Sequence, residues 1–397
     1  MKKTHVIIGT SAAGISAAQK LRQLDAACEI ICISDEAELP YNKCHLADYV
    51  AGSKQEAQLS TLTAESAKQK NIALHLGTRV ASLQPSAKSI TLSDGQKISY
   101  DSLLLALGSS PIMPNISGIS LTGVFAFHSL HDIAHIQKFC DQNSVQNVVV
   151  IGAGLTGLEC ADAFAARGLR VTVVERQEHV LPAFINAPAA ELIHQKMAAH
   201  NIGLHTNQSV VEIVGDSVAR GVRLSDGSVL EADMVVVAIG VRGNAQLVRE
   251  AGIVCEEQGI AINHHMQTSD PSIFAAGDIC MVKDLLSGVL VPSRTWPDAM
   301  FQGLMAAYAM SGQAREYPGM NVVISSHFFD IKFASCGPVL KQPVECDRVE
   351  RTGDDYYHLY LVANGRLKGF LLVGNTALLP KLRQAVMQQT PFSIDSI

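Results

Sequence analysis

The sequence VVVIGAGLTG occupies residues 148–157, where an apolar run passes directly into three glycines at the GxGxxG spacing. A helix is predicted from Leu158 to Arg167, and a second apolar strand then ends at Glu175. A strand, a glycine turn and a helix in this order bring backbone N–H groups close to the phosphates of a dinucleotide. The stretch therefore predicts a parallel α/β nucleotide-binding unit.

The residues of this unit expected to contact the nucleotide are the loop positions and the terminal acid, namely Gly152, Gly154, Leu155, Thr156, Gly157 and Glu175. A carboxylate at the end of the second strand accepts hydrogen bonds from a ribose 2′-hydroxyl and repels a 2′-phosphate. Glu175 therefore favours NADH over NADPH, and the adjacent Arg176 softens that preference.

The start of the chain repeats the same order of elements. The run VIIGTSAAG covers residues 6–14, and a helix is predicted over residues 15–24. The strand that follows ends at Asp35 and Glu36, in the place of the ribose-binding acid. Ser11 replaces the middle glycine and is small enough for close approach of a phosphate. The repeat predicts a second nucleotide site formed by Gly9, Ser11, Ala13, Gly14, Asp35 and Glu36.

Both halves of the chain continue to a similar plan, and the tail differs from them. Apolar strands over residues 103–108 and 234–240 each close a segment that follows one of the repeats. After Pro318 the pattern changes to short strands, including one over residues 328–334, and a final helix near residues 379–388. The tail is therefore expected to form a third, α+β unit without a phosphate loop.

Composition excludes several classes of protein. The 397 residues are 48% hydrophobic and 17% charged, with a formal net charge of −6 and no apolar run long enough to cross a membrane. There is no basic run that would bind nucleic acid, and no signal peptide is expected. Nine cysteines without a CxxC pair favour reduced thiols in a cytoplasm. His264 and His265 lack further ligands at metal spacing, so no metal site is expected.

Two such units, with the second inserted into the first, resemble the FAD-dependent pyridine nucleotide–disulfide oxidoreductases. The segment TSDPSIFAAGD at residues 268–278 is similar to the second FAD motif of that family, in which the final aspartate, here Asp278, binds the ribityl chain. The segment WPDAMFQG at residues 296–303 resembles the helix start that lies under the flavin ring. The strands that end at Gly108 and Gly240 resemble the junctions between the FAD and NADH parts.

The resemblance covers the whole chain and implies an α/β fold with two Rossmann-like nucleotide-binding domains. The FAD-binding domain is expected over residues 1–113 and 237–317, the inserted NAD(P)H-binding domain over 114–236, and a C-terminal α+β interface domain over 318–397. The resemblance adds cofactor contacts at Lys43, Val80, Ala106, Gly108, Gly240, Gly277, Asp278 and Trp296.

The segment LPYNKCHLADYVAG at residues 39–52 resembles two subfamilies at once. Its frame is similar to the reductases that feed rubredoxin, ferredoxin or a nitrite reductase centre. Cys44, followed two residues later by Leu46, instead resembles the single redox cysteine of CoA-disulfide reductases and NADH oxidases. A helix start and the neighbouring Lys43 would favour a reactive thiolate at Cys44. The alternative is that Cys44 is a small buried residue, and both interpretations stay open.

Glu159 matches a family glutamate that approaches the flavin through the nicotinamide pocket and often pairs with a lysine. In the electron-transfer reductases that lysine lies at the position of Asp48, and Lys43 is the nearest substitute in this chain. The resemblance therefore implies catalytic roles for Cys44, Lys43 and Glu159. The alternative for Glu159 is an acid that stabilises the first turn of a helix, and the two roles are compatible.

Three functions fit these patterns. The main interpretation is a FAD-dependent oxidoreductase that takes a hydride from NADH and passes electrons to rubredoxin, ferredoxin or another redox centre. The first alternative is an NADH-dependent disulfide reductase or NADH oxidase that works through Cys44. The second is a regulatory flavoprotein with slow NADH turnover. The expected partner is a small redox protein or a small-molecule acceptor, and a homodimer is favoured.

Overall fold

The computed structural model describes residues 2–292, 294–340 and 345–393, which form two compact units. The first unit comprises the described residues of 1–46, 54–110 and 241–320, and the second those of 47–53, 111–240 and 321–397. Within these residues no helix has the length and apolar character needed to span a membrane.

A five-stranded parallel sheet forms the centre of the first unit. Its strands are β1 (Thr4–Ile8), β2 (Glu29–Ile33), β3 (Ile72–His75), β7 (Ser102–Leu105) and β20 (Ile273–Ala275), in the spatial order β20-β7-β1-β2-β3. Val6 pairs with Ile31 on one side and Leu103 on the other. Both faces of such a sheet are covered, which explains why its strands read as continuous apolar runs.

Helices and smaller sheets complete the first unit. The helices are α1 (Ala12–Leu24), α3 (Ala64–Gln69), α7 (Gln246–Glu250) and α8 (Trp296–Met310). One antiparallel sheet contains β4 (Val80–Gln84), β5 (Ser89–Leu92) and β6 (Lys97–Ser99); another sheet contains β18 (Cys255–Glu256), β19 (Gly259–Ala261), β21 (Cys280–Lys283) and β22 (Leu290–Pro292). The remaining short strands are β8 (Ser109–Pro111) and β17 (Val241–Gly243). Helix α1 packs closely on α8. The contact leaves no room for a side chain at Gly303, where a Cβ would lie 2.1 Å from the carbonyl oxygen of Ala13.

The second unit contains a parallel sheet of the same kind. Its strands are β9 (Val124–Ala126), β10 (Asn147–Ile151), β11 (Arg170–Val174), β12 (Gly203–His205) and β16 (Met234–Val237), in the order β12-β11-β10-β16-β9. The helices of this part are α4 (Leu130–Gln142), α5 (Leu155–Ala166) and α6 (Ala187–Ala199), and the short α2 spans Leu46–Ala51. A three-stranded antiparallel sheet, β13 (Val210–Val214), β14 (Gly221–Leu224) and β15 (Val229–Glu231), packs on the parallel sheet.

The tail adds an antiparallel sheet to the second unit. Its strands are β23 (Val323–Phe328), β24 (Ile331–Cys336), β25 (Asp347–Thr352), β26 (Tyr357–Ala363) and β27 (Arg366–Val373), in the order β23-β24-β27-β26-β25. Helix α9 (Leu379–Gln388) packs on β27 through the buried side chains of Leu382 and Val386. This part is α+β, as the change of pattern after Pro318 predicts.

Several predicted elements differ from the structure at their ends. Helices α1 and α5 begin three residues earlier than predicted, at Ala12 and Leu155, because the last glycine of each turn already lies in the first helical turn. The strand predicted over residues 328–334 is interrupted at Phe329 and Asp330, whose φ values of +51° and +59° form a tight hairpin turn. The predicted division into three domains stays a prediction.

Candidate functional site

The two glycine turns have the same packing. A Cβ at Gly14 would lie 1.9 Å from the carbonyl oxygen of Gly9, and a Cβ at Gly157 would lie 1.9 Å from that of Gly152. The first glycine of each turn adopts a positive φ, +110° at Gly9 and +105° at Gly152. Glycine is therefore required at both positions of each turn, so that the helix can start directly against its strand.

The middle residue of the turn is Ser11 in the first unit and Gly154 in the second, and each leaves the start of its helix open to a ligand. Gly154 is the N-cap of α5, and apart from Gly154 itself and its two chain neighbours, no atom of the described chain lies within 4 Å of the position that a Cβ would take. Ser11 is the N-cap of α1 but makes no side-chain cap hydrogen bond. By contrast, Ser129 and Asp132 form a capping box at α4. The N–H groups at the starts of α1 and α5 therefore suit a bound phosphate.

Glu175 lies directly after β11 and is buried beside the second turn. Its Oε2 accepts the N–H of Ala153 at 2.8 Å, and its Oε1 accepts the N–H of Gln177 at 2.8 Å. These two hydrogen bonds fix the orientation of the carboxylate next to the glycine turn. Each carboxylate oxygen can accept a further hydrogen bond, so a ribose hydroxyl can still be bound.

The matching acid of the first unit, Glu36, has a different set of contacts. Its Oε2 accepts the hydroxyl of Tyr41 at 2.6 Å, and its Oε1 forms an ion pair with the Nζ of Lys43 at 2.7 Å. The structure therefore brings together two predicted cofactor residues, Glu36 and Lys43. Asp35 is exposed.

Asp278 lies at the carboxyl end of β20, where a ligand is expected in a sheet of this kind. Its Oδ2 accepts the hydroxyl of Ser109 at 2.8 Å. Burial raises the pKa of the Asp278 carboxyl, while the Ser109 hydrogen bond and the positive charges of Arg294 and Lys43 oppose that rise. Asp278 is thus a partly desolvated acid held by a short polar contact.

A buried polar chain fixes the turn that carries Asp278. Gly277, with a φ of +85°, donates its N–H to the Oε1 of Gln302 at 2.8 Å. The fully buried Gln302 donates in turn to Asp298, and Tyr317 donates its hydroxyl to the Oδ1 of Asp298 at 2.9 Å. The predicted residue Trp296 begins the same helix, α8.

Cys44 lies in a short 3₁₀ helix, Lys43–His45, whose N-cap is Asn42. Its N–H donates to the Oδ1 of Asn42 at 3.0 Å. Cys44 is exposed, whereas the other eight cysteines are buried or half-buried. The alternative of a buried packing residue is therefore wrong.

Glu159 lies in the second unit, on α5. Its Oε1 accepts the hydroxyl of Ser326 on β23 at 2.6 Å. Burial raises the pKa of the Glu159 carboxyl; the Ser326 hydrogen bond and His327 lower it, and Asp48 raises it. Pairing of Glu159 with Lys43 stays a prediction.

The other predicted cofactor residues lie at strand ends or in the turns. Val80 and Ala106 are buried, and the Ala106 carbonyl oxygen packs against Gly9. Gly108 and Gly240 have positive φ values of +60° and +115°. The remaining predicted residues are in the first turns of α1 and α5: Ala13, Leu155 and Thr156. The sequence does not predict Ser109 or Ser326, and it indicates Gln302 only as part of the segment at residues 296–303.

The geometry defines a protein with two dinucleotide-type turns, each at the carboxyl end of a parallel sheet. Residues 3–314 match the pyridine nucleotide-disulphide oxidoreductase family. An NADH oxidase from Methanocaldococcus jannaschii is 33% identical over 327 residues, which cover 81% of this chain and 73% of the relative. A probable ferredoxin reductase from Castellaniella defragrans is 31% identical over 352 residues, which cover 88% of this chain and 84% of the relative.

A solved structure is also similar to this chain over nearly its whole length. The crystal structure of reduced CoADR-RHD from Bacillus anthracis matches with a TM-score of 0.92 and 26% identity, over 98% of this chain and 75% of that chain. The chain belongs to the pyridine nucleotide-disulphide oxidoreductase family. It is an NAD(P)H-dependent oxidoreductase with FAD and NADH as cofactors, and the predicted fold class is confirmed.

Proposed function

We propose that the first unit binds FAD, the second binds NADH, and the reduced flavin passes its electrons to a small redox protein. The observation that carries this proposal is the pair of glycine turns, in which an added Cβ at either Gly14 or Gly157 would lie 1.9 Å from the carbonyl oxygen of the first glycine of the turn. Two helix starts of one geometry in one chain suit two dinucleotides.

The side chains of the first unit fit a flavin nucleotide. The start of α1 would hold the pyrophosphate, Glu36 a ribose hydroxyl and Asp278 the ribityl chain. Asp278 already has a hydroxyl partner in Ser109, which supports its role as an acceptor of hydroxyl groups. When bound, FAD supplies the redox chemistry, because it accepts a hydride from NADH and gives up electrons to an acceptor.

The second unit fits NADH in the same manner. The open space at Gly154 allows a pyrophosphate to approach the backbone at the start of α5. Glu175, held by two backbone N–H groups, would accept the ribose 2′-hydroxyl. Its carboxylate would repel the 2′-phosphate of NADPH, so we propose that NADH is preferred.

The acceptor we propose is a small iron-containing redox protein. The similarity to a probable ferredoxin reductase over 88% of this chain supports that choice. The exposure of Cys44 favours a second candidate, in which the Cys44 thiolate attacks a low-molecular-weight disulfide. One thiol then leaves, and the mixed disulfide on Cys44 is reduced by two electrons from NADH. The balance is one disulfide, one NADH and one proton giving two thiols and NAD⁺.

The Cys44→Ser variant separates the two candidates. After anaerobic reduction with NADH, the wild type and the variant are mixed with a ferredoxin, a rubredoxin, CoA disulfide or oxygen, and flavin reoxidation is followed by absorbance. For protein electron transfer we expect unchanged turnover with the iron proteins, within about twofold, because a serine preserves the size of the side chain. NADPH in place of NADH tests the expected cofactor preference.

The outcome that contradicts the electron-transfer proposal is also defined. If only CoA disulfide or oxygen reoxidises the wild type, and Cys44→Ser abolishes that reaction, the cysteine route is the correct one. If no acceptor gives rapid turnover and a long-lived complex with NADH forms instead, the protein is a regulatory flavoprotein. Size-exclusion chromatography of the same preparation tests the expected homodimer.

A further inference from the structure

Among the hydrogen bonds that the structure records, one joins a side chain of the tail sheet to Glu159, and that side chain is Ser326. The distance between the hydroxyl oxygen and the Glu159 Oε1 is 2.6 Å, although the two residues are 167 positions apart in the chain. A hydroxyl that donates to a carboxylate favours the ionised form and fixes its orientation. The contact therefore acts on an acid to which the resemblance assigns a role next to the nicotinamide.

The hairpin that carries Ser326 is held at further points on α5 and at the end of α6. The backbone N–H of Phe329 donates to Asp162, which lies one helical turn after Glu159. At the tip of the hairpin, the Oδ2 of Asp330 lies 3.1 Å from the Nε2 of His200, within hydrogen-bond distance. The buried Phe329 adopts a φ of +51°, so the turn is held against its backbone preference by these contacts. The position of Ser326 against Glu159 is thus defined by the fold.

The groups around Glu159 favour different protonation states of its carboxyl, so the hydrogen bond from Ser326 is important to the balance. Desolvation and the Asp48 carboxylate favour the protonated acid, whereas the Ser326 hydroxyl and His327 favour the carboxylate. Asp162 lies on the same helix, and the neighbouring Cys160 is a fully buried thiol. Asp48 also occupies the position where the electron-transfer reductases carry a lysine, so an acid stands where a stabilising cation is expected.

We propose that Ser326 is a positioning residue that keeps the Glu159 carboxylate ionised and correctly oriented, in the role that a lysine has in related reductases. The tail sheet thereby contributes to the chemistry of the NADH-binding unit. An ionised Glu159 only accepts hydrogen bonds, whereas the protonated acid also donates one, so loss of the Ser326 hydroxyl changes what the site presents to the nicotinamide. This inference rests on the proposed function and on a role beside the nicotinamide for Glu159, which we propose from the resemblance.

The test compares Ser326→Ala with Ser325→Ala in the full-length, FAD-loaded protein. Ser325 is the exposed neighbour on the same strand, so its removal is the matched control. The titration of Glu159 is followed by NMR of ¹³C-labelled glutamate side chains, with Glu159→Gln to assign the signal. Because the hydroxyl stabilises the carboxylate, we expect the Glu159 midpoint to move to higher pH in Ser326→Ala and to stay unchanged in Ser325→Ala.

A second readout is the rate constant for anaerobic flavin reduction by NADH across the same pH range. We expect its fall on acidification to begin at higher pH in Ser326→Ala, with a loss of about tenfold on that limb, and Ser326→Thr to restore the wild-type profile. Thermal unfolding of each variant shows whether the fold is retained.

Two results separate the possible failures. An unchanged Glu159 midpoint in a folded Ser326→Ala variant overturns the inference. If instead Glu159→Gln leaves flavin reduction unchanged at every pH, the proposed role of Glu159 is wrong, whatever the effect of Ser326 on its titration.

Discussion

At the scale of single residues, two glycines of the second turn are expected to have different roles. Gly154 would contact the ligand, whereas Gly157 is required for packing. Gly154→Ala adds a methyl group in open space at an extended φ of −74°, so we expect the free energy of unfolding to fall by about 1 kcal/mol or less. The same methyl group stands where the pyrophosphate would approach, so we expect the KM for NADH to rise roughly tenfold. Steady-state kinetics and thermal unfolding measure the two effects.

Gly157→Ala is the matched variant three residues later. Its methyl group would lie 1.9 Å from the carbonyl oxygen of Gly152, so α5 has to move away from β10. We expect a loss of ~1–3 kcal/mol of stability in urea unfolding, as for other overpacked sites. Equal stability losses in Gly154→Ala and Gly157→Ala, with no change in KM, would contradict the assignment of Gly154 to the nucleotide.

At the scale of elements, Gln302 joins helix α8 to the turn that carries Gly277 and Asp278. Gln302→Leu leaves the N–H of Gly277 without its buried acceptor and removes one of the donors to Asp298, at a cost of roughly 1–3 kcal/mol for the unsatisfied N–H. Because that turn carries Asp278, we expect weaker FAD binding, measured by flavin release during dialysis. The exposed Gln313→Leu is the control and should retain the flavin. Full retention in Gln302→Leu would show that the turn is positioned by other contacts.

The elements also show which parts of the site are readable from the sequence. The glycine turns are local patterns, so Gly9, Gly14, Gly152 and Gly157 could be predicted together with the sheets they join. Partners of the functional acids could not, because Ser109 and Ser326 lie 169 and 167 residues from the carboxylates that they contact. A serine in a short strand carries no signal of its own until the fold brings it to an acid.

The tail illustrates the same limit for secondary structure. Strand β25 contains a single apolar residue, Val349, among four charged residues and Thr352, so hydrophobic patterning does not predict it. The turn at Phe329 and Asp330 lacks the glycine or asparagine that usually marks such a turn, so the strand predicted over residues 328–334 continues through it. In both cases tertiary contacts override the local pattern.

At the scale of the whole molecule, the two units should respond to their ligands separately. In hydrogen-exchange mass spectrometry, adding FAD to the flavin-free protein should slow exchange at the start of α1. Adding NAD⁺ should then slow exchange at the start of α5. At a ligand concentration of 100 times the Kd, binding contributes about 2.7 kcal/mol, so exchange that requires ligand release should slow by about 100-fold. Protection by NAD⁺ confined to the first unit would reverse the assignment of cofactors.

Strand β25 has a consequence for how the chain avoids association with other sheets. It is one of the two outermost strands that the described residues form in the tail sheet, and Asp347, Arg348, Glu350 and Arg351 place alternating charges along it. A foreign strand that added to this edge would have to match that charge sequence or bury unpaired charges. The charged sequence of this edge strand thus opposes amyloid-like extension of the sheet. That role requires a polar sequence, which explains why hydrophobic patterning fails to reveal the strand.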